Sequence, residues 1–195
     1  MVHPDRFGHA QGLAGSGASA EQQSGLLGRG WTFPNSLGNY EANIRRSTDY
    51  GQTWSCVWET RDSTFSAVYS IVAYPDGQVW YAGAGGGDGK WRGVLKSTAG
   101  GVRGSWTFLP VGVQDVKVMD VAVDFFDSQL VLALLPGWYQ YPNGIYRSND
   151  GGANWENVWS GHPGEGWRLR ADPRRASNFW LVGAGVAGGP EEGLF

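Results

Sequence analysis

The chain has 195 residues and a formal net charge of −3, with 41% hydrophobic but only 17% charged residues. It has no basic block, which argues against a nucleic-acid partner, and no apolar run of about 18 residues that could span a membrane. The single cysteine, Cys56, excludes an internal disulfide, and the three histidines follow no metal-ligand spacing, so we expect no metal and no cofactor. The 32 glycines and 11 tryptophans favour short strands joined by tight turns.

The chain opens with a segment, residues 1–42, that is rich in Gly, Ala and Ser. Within it, GLAGSGASAEQQSGLLGRG (12–30) predicts a long loop or a flexible insert. HPDRFGHAQGLAGSG (3–17) resembles DPRRASNFWLVGAG (172–185), which suggests that the chain begins with a degenerate start of one repeat. No apolar core of a signal peptide is visible. An intracellular protein, a mature secreted form and a piece of a longer protein all remain open, and of these we favour a secreted or extracellular location.

From residue 43 to residue 195 the chain repeats with a period of about 50 residues. RSTDYGQTW (46–54) and RSNDGGANW (147–155) share the frame Ser-x-Asp-x-Gly-x-x-Trp. A degenerate copy lies midway, where Ala99 replaces the aspartate between Ser97 and Trp106. The letters GLF at 193–195 match the start of GIYRS, which precedes a full copy, so we expect the last repeat to be truncated.

Each repeat is predicted to contain four short strands. Turn formers separate them, and helical periodicity is absent. Four antiparallel strands in every repeat of this length are typical of a β-propeller blade. The sequence therefore predicts an all-β fold, a partial β-propeller of about three and a half blades, with the motif between the third and fourth strands. The predicted strands are 43–47, 70–74, 78–83, 93–97, 105–109, 118–123, 129–135, 144–148, 154–159, 167–171 and 178–183.

The motif residues are those that a structural hairpin needs. Its aspartates can accept bonds from turn N–H groups, its glycines can adopt a positive φ, and its tryptophans can pack into the seam between neighbouring sheets. We therefore predict that the motif stabilises the fold and is not catalytic. The residues with this structural role are Ser47, Asp49, Gly51, Trp54, Ser97, Trp106, Ser148, Asp150, Gly152 and Trp155.

STDYGQTW (47–54) and SNDGGANW (148–155) resemble Asp-boxes, also called bacterial neuraminidase repeats, although Asn154 stands where threonine is usual. Such boxes occur in sialidases, xyloglucanases and related glycoside hydrolases, sortilin-type receptors and photosystem II assembly factors. The repeat length is closest to the last three groups, and the R-I-P motif of sialidases is missing. The resemblance implies that the boxes lie on the rim opposite the functional face.

Function is therefore expected in the loops of the opposite rim, 83–93, 135–144, 183–193, 111–117 and 160–167. Aromatic rings there could stack on sugars while polar groups bind hydroxyls. Alternatively, the rings pack under the Gly-rich loops and hold them in place. The ligand-binding candidates are Trp91, Arg92, Trp138, Tyr139, Tyr141, His162 and Trp167.

A glycosidase needs two carboxyl groups that flank the scissile bond. Asp88, Asp115, Asp120 and Glu165 are the candidates, and Asp120 is predicted to begin an innermost strand, where it could instead cap the backbone. The leading function is carbohydrate binding or processing by a glycoside-hydrolase-like propeller, whose fragment we do not expect to be active alone. The alternative is a non-catalytic interaction scaffold. The expected partners are a glycan or polysaccharide and the remaining blades or a second copy, with no nucleic acid and no membrane span.

Overall fold

The structure is a computed structural model that describes residues 25–28, 42–60, 67–85, 93–113, 117–136, 143–161 and 167–183. These residues form short strands joined by turns, and no helix in this part of the chain could cross a membrane. The strands are β1 Gly25–Gly28, β2 Asn43–Ser47, β3 Ser55–Glu59, β4 Ala67–Ala73, β5 Trp80–Gly85, β6 Gly93–Ser97, β7 Trp106–Pro110, β8 Asp120–Val123, β9 Val131–Leu135, β10 Gly144–Ser148, β11 Glu156–Trp159, β12 Arg168–Ala171 and β13 Phe179–Val182.

The strands form four antiparallel sheets in which neighbours in the chain are neighbours in space. Sheet 1 contains β1–β3, sheet 2 contains β4–β7, sheet 3 contains β8–β11 and sheet 4 contains β12–β13. Each motif copy connects the last two strands of its sheet: β2 to β3, β6 to β7 and β10 to β11. The predicted all-β class and the position of the motif are therefore confirmed.

Consecutive sheets pack face to face, and the first strand of each contacts the sheet before it. Successive side chains of a strand point to opposite faces, so β8 serves two cores. Val121 and Val123 pack towards sheet 2, where they meet Tyr81. Ala122 packs towards sheet 4, where it meets Leu169. A third core lies between sheets 1 and 2. This stacking buries strands β5, β8 and β9 on both faces.

Three parts of the prediction need correction. The predicted strands do not include β3, Ser55–Glu59, which follows the first motif copy. Residues 25–28, predicted to lie in a loop or flexible insert, form β1 and pair with β2 from Gly25↔Ser47 to Gly28↔Ile44. The edge of β2 offers free backbone groups, so these glycines join a sheet despite their low strand propensity. Strand β4 begins at Ala67, three residues before the prediction, because a bulge between Val68 and Ser70 interrupts the alternation. The segment GLF at 193–195, expected to lie in the truncated last repeat, lies outside the described residues, and the division of the chain at residue 42 stays a prediction.

Candidate functional site

The first motif copy is a turn closed by its own side chains. Ser47 Oγ donates to Asp49 Oδ1 at 2.7 Å and accepts from the N–H of Gly51 at 2.8 Å. The other contacts of Asp49 come from Thr53, whose N–H donates to Oδ1 at 2.9 Å and whose hydroxyl donates to Oδ2 at 2.5 Å. The indole of Trp54 donates to the carbonyl of Gly51 at 3.0 Å. The side chains of Ser47, Asp49, Thr53 and Trp54 thus all have partners inside the turn.

The third copy repeats these bonds with a different donor. Ser148 Oγ donates to Asp150 Oδ1 at 2.8 Å and accepts from Gly152 N–H at 2.7 Å. Asn154 replaces threonine, and its amide nitrogen donates to Asp150 Oδ2 at 2.7 Å. The indole of Trp155 donates to the carbonyl of Gly152 at 3.0 Å. An amide therefore replaces a hydroxyl without a change in the bonding pattern.

The middle copy lacks the aspartate but keeps the turn. Ser97 Oγ accepts from the N–H of Gly101 at 3.1 Å and lies 2.6 Å from Ser105 Oγ. Ser105 in turn donates to the carbonyl of Val102 at 2.6 Å. The Ser105 hydroxyl thus takes over the contact with Ser97 that a carboxylate makes in the other copies. Trp106 Nε1 is buried without a hydrogen-bond partner among the described atoms.

The two motif aspartates are held ionised by the hydrogen bonds of the turn. The Thr53 hydroxyl, then the Thr53 N–H and the Ser47 hydroxyl, lower the pKa of Asp49 to about 2. The N–H and then the side chain of Asn154 lower the pKa of Asp150 to about 2. Such carboxylates are poor proton donors near neutral pH, which fits the structural role that we predicted for them.

The motif tryptophans pack towards the preceding sheet. Trp106 packs on the core between sheets 1 and 2, and Trp155 packs on the core between sheets 2 and 3. Trp54 belongs to sheet 1, and 37% of it is exposed. The prediction that Trp54 is buried in a seam is therefore wrong for the described structure, because no described sheet lies on that side of sheet 1.

In sheets 2 and 3, the motif hairpin lies at the same end of the stack as the first hairpin of its sheet. The N–H of Gly100 donates to the carbonyl of Gln78, and the N–H of Gly151 donates to that of Gln129, both at 2.8 Å. Lys96 of sheet 2 reaches the third motif, where its ammonium donates to the carbonyl of Gly151 at 2.8 Å. These bonds join turns to turns and sheet to sheet.

At the other end of the stack, two indoles meet where the chain passes from sheet 3 to sheet 4. Trp159 ends β11 and Trp167 precedes β12, and their rings stack with centroids 6.0 Å apart and planes inclined by 25°. A methyl group added at Gly161 would lie 1.9 Å from the Trp159 ring, and one at Gly183 would lie 2.2 Å from the Trp167 ring. Both indoles therefore rest on glycine backbone. Each is only partly exposed.

Polar bonds support the base of this aromatic pair. Asn157 Nδ2 donates to the carbonyl of Asn143 at 3.2 Å, which ties β11 to the start of β10. Ser160 Oγ donates to Asn157 Oδ1 at 2.9 Å. On the other side, Arg168 Nη1 donates to the carbonyl of Trp167 at 2.7 Å. The two ends of the 160–167 connection are thus fixed by stacking and by hydrogen bonds.

Asp120, the carboxylate candidate that lies within the described residues, joins sheet 3 to sheet 4. It is buried, and Oδ1 accepts from the N–H of Val121 at 3.0 Å. Oδ2 accepts from the N–H of Leu169 at 2.9 Å and from Arg170 Nη1 at 3.0 Å. The backbone cap that the sequence left open is present. A catalytic role for Asp120 stays a prediction.

Of the residues predicted to bind ligand or to catalyse, the structure places two, Trp167 and Asp120, both at the interface of sheets 3 and 4. Trp159 was missed as a site residue, because at the end of a strand it looks like any other core aromatic. Within the described ranges, no group of three metal-ligating side chains occurs. The candidates outside the described residues are Asp88, Trp91, Arg92, Asp115, Trp138, Tyr139, Tyr141, His162 and Glu165.

Comparison with known proteins supports the fold. No family model and no curated protein matches the chain. The solved structure of the GH74 enzyme of Niastella koreensis is similar, with a TM-score of 0.52 and 17% sequence identity. The match covers 72% of this chain and 25% of that enzyme. Since that enzyme is a β-propeller, the stacked four-stranded sheets identify the present chain as a partial β-propeller. It spans a quarter of the enzyme it matches.

Proposed function

We propose that the chain belongs to a glycoside-hydrolase-like propeller that binds carbohydrate on the rim opposite the motif hairpins. The observation that carries the proposal is the Trp159–Trp167 stack, which lies on that rim, at the connection between sheets 3 and 4. The likeness to a GH74 propeller enzyme supports it at the level of the fold. Loops on a rigid scaffold are where binding groups concentrate in such folds.

The aromatic pair acts in this proposal mainly as a positioning device. Each indole contacts the other indole and a glycine backbone. Neither ring is therefore wholly free to stack on a sugar. The pair instead fixes both ends of the 160–167 connection, and its remaining exposed ring surface borders whatever that connection binds. His162 and Glu165, predicted from the sequence to bind hydroxyls, belong to this connection. A fixed base lowers the conformational entropy that a binding loop loses on contact with its ligand.

Binding is tested by calorimetry with xyloglucan and β-glucan oligosaccharides. We expect wild type to bind at least one of them and Trp167→Ala to weaken that binding by about tenfold, the scale of one lost aromatic contact and its loop support. Phe126→Ala is the matched control, because Phe126 is an exposed aromatic at the motif end of the stack. Equal losses in both variants would contradict the proposed rim.

Turnover is tested separately with the same oligosaccharides and Glu165→Gln. If Glu165 supplies a carboxyl group to the reaction, hydrolysis falls by at least about a hundredfold while binding persists. Binding without hydrolysis by wild type supports a carbohydrate-binding propeller. If wild type neither binds nor cleaves any of these glycans, the carbohydrate proposal is wrong and the interaction scaffold takes its place.

A further inference from the structure

Two segments of the sequence place a pair of arginines three and two residues before a hydroxyl side chain. They are RRST, residues 45–48, which ends at Thr48, and RRAS, residues 174–177, which ends at Ser177. Charge patterns around the hydroxyl group are one means by which protein kinases select their substrates, and acidic groups of a kinase can bind both guanidinium groups. The two segments are equivalent in this respect, so the fold decides which hydroxyl such a kinase can reach.

The segment RRST lies in a strand that is paired on both sides. Arg45 and Arg46 belong to β2, the middle strand of the three described in sheet 1, and each is paired with a residue of β1 and a residue of β3. The Nε atom of Arg46 is buried. Ser47 is buried as well, and its hydroxyl accepts from the N–H of Gly51. Access to Thr48 together with its two arginines therefore requires the middle strand to leave the sheet.

The segment RRAS lies in the turn between β12 and β13, where residues 173–177 are all exposed. The N–H of Arg174 donates to Asp172 Oδ1 at 2.8 Å, and the N–H of Ser177 donates to Asp124 Oδ2 at 2.6 Å. Ser177 has a φ of 59°, which is unfavourable for a residue with a Cβ atom. Opening the turn breaks these two bonds and relieves that conformation, while β12 and β13 stay paired. A local opening therefore exposes Ser177 to a kinase.

The bond from Ser177 also joins sheet 4 to sheet 3. Its acceptor, Asp124, follows β8 of sheet 3 and is buried, and the other oxygen of Asp124 accepts from two N–H groups of its own turn. A phosphate on Ser177 Oγ brings nearly two negative charges close to this carboxylate. The two groups repel each other, and salt screens a buried charge less than an exposed one. Phosphorylation therefore weakens the bond between Ser177 and Asp124.

We infer that Ser177 is a phosphorylation site for a protein kinase that selects arginines, and that a phosphate there loosens the contact between sheets 3 and 4. In the reaction, Ser177 Oγ attacks the γ-phosphorus of ATP, the bond from that phosphorus to ADP breaks, and the hydroxyl proton passes to the catalytic base of the kinase. Thr48 has the same sequence pattern but is not modified in the folded chain. The inference does not depend on carbohydrate binding.

The probe is the catalytic subunit of cyclic-AMP-dependent protein kinase with Mg-ATP, and mass spectrometry locates the phosphate. In the folded wild-type chain we expect Ser177 to be modified at least about tenfold faster than Thr48. A peptide of residues 42–52 is the unpaired control, in which the kinase should modify Thr48. The Arg174→Ala, Arg175→Ala double variant should slow the modification of Ser177 by at least about tenfold. Arg45→Ala, at an exposed arginine of the other segment, should leave it unchanged.

The phosphorylated chain should unfold about 2–4 °C below the unmodified chain, the effect of one weakened hydrogen bond in a chain of this size. This shift should shrink in Asp124→Asn, which lacks the repelling charge, and should also shrink when NaCl is raised from about 0.05 M to about 0.5 M. The salt series decides the matter if Asp124→Asn does not fold.

A folded chain that takes up no phosphate at Ser177, or takes it up equally fast at Thr48, overturns the site. Phosphorylation of Ser177 without a fall in Tm, or with a fall that neither salt nor Asp124→Asn reduces, overturns the loosening by charge. Modification of Ser177 ahead of Thr48, with a fall in Tm that these changes reduce, supports both parts of the inference.

Discussion

The motif serine is expected to stabilise the fold most where the N–H group that donates to its hydroxyl is buried. Ser148 and Ser47 make the same bonds, 2.7 and 2.8 Å from the N–H groups of Gly152 and Gly51. Gly152 is buried under sheet 2 side chains, whereas Gly51 is exposed. Ser148→Ala therefore leaves a donor that water cannot reach, and Ser47→Ala leaves a donor that water can satisfy.

The difference is large enough to measure. An unsatisfied buried donor costs about 2 kcal/mol, and an exposed one costs less than about 1 kcal/mol. For a chain of this size, 1 kcal/mol shifts Tm by roughly 2–4 °C. We therefore expect Ser148→Ala to lower Tm by about 4–8 °C and Ser47→Ala to lower it by less than about 4 °C.

Thermal unfolding followed by circular dichroism and by tryptophan fluorescence checks this prediction. Ser97→Ala is the third member of the series, because Gly101, its N–H donor, is buried, and it should resemble Ser148→Ala. If Ser47→Ala lowers Tm as much as Ser148→Ala does, burial of the donor is not what sets the contribution of the motif.

Three further predictions concern the backbone, the sheet interface and pH. Tyr50 has a φ of 58° where the other two copies have glycine, so Tyr50→Gly should stabilise the chain by about 0.5 kcal/mol in urea denaturation, the left-handed strain outweighing the added chain entropy. Asp124→Ala should cost about 3 kcal/mol by the same method, because buried Asp124 accepts from two N–H groups of its own turn and from Ser177 N–H of sheet 4; a loss below about 1 kcal/mol would contradict this role. The pKa of Asp49 and of Asp150 is lowered in the folded chain from 3.8 to about 2, so their stabilising effect is complete above pH 3.8 and is lost as the pH falls towards 2. Tm measured against pH should therefore fall less steeply in the Asp49→Asn, Asp150→Asn double variant than in wild type.

The motif hairpins could be predicted from the sequence because their chemistry is local. Ser148, Asp150 and Asn154 find their partners within four residues along the chain. Any backbone that brings these residues into a turn allows the same bonds. The strands beside the hairpins, β2, β6 and β10, have the predicted bounds for the same reason. Interactions between residues close in the chain thus determine the hairpins and the bounds of these strands.

The candidate site could be predicted only in part because its contacts cross between sheets. Trp167 looked significant as an aromatic residue in a loop, but its partner Trp159 ends a strand of the preceding sheet. The bonds of Asp120 to Leu169 and Arg170 join residues about 50 positions apart. Nothing near Asp120 in the sequence shows that its carboxylate accepts bonds from Leu169 and Arg170.

The exposure of Trp54 shows the same limit from the other side. Its local bonds match those of Trp155, so the sequence predicts the same surroundings for both. Burial depends on which sheet lies against the ring, and that is a property of the stack rather than of the motif. Turns are therefore predictable here at the level of single residues, and packing is predictable only at the level of the repeat.

The hydroxyl of Ser105 in the middle hairpin has a consequence for how such repeats diverge. What the fold selects there is an oxygen in the right place, and a neutral side chain eight positions further along can supply it. A repeat can thus lose its aspartate and keep its hairpin. A sequence pattern that requires the aspartate then no longer detects that repeat. The geometry of the turn can therefore be kept in a repeat whose sequence no longer matches the motif.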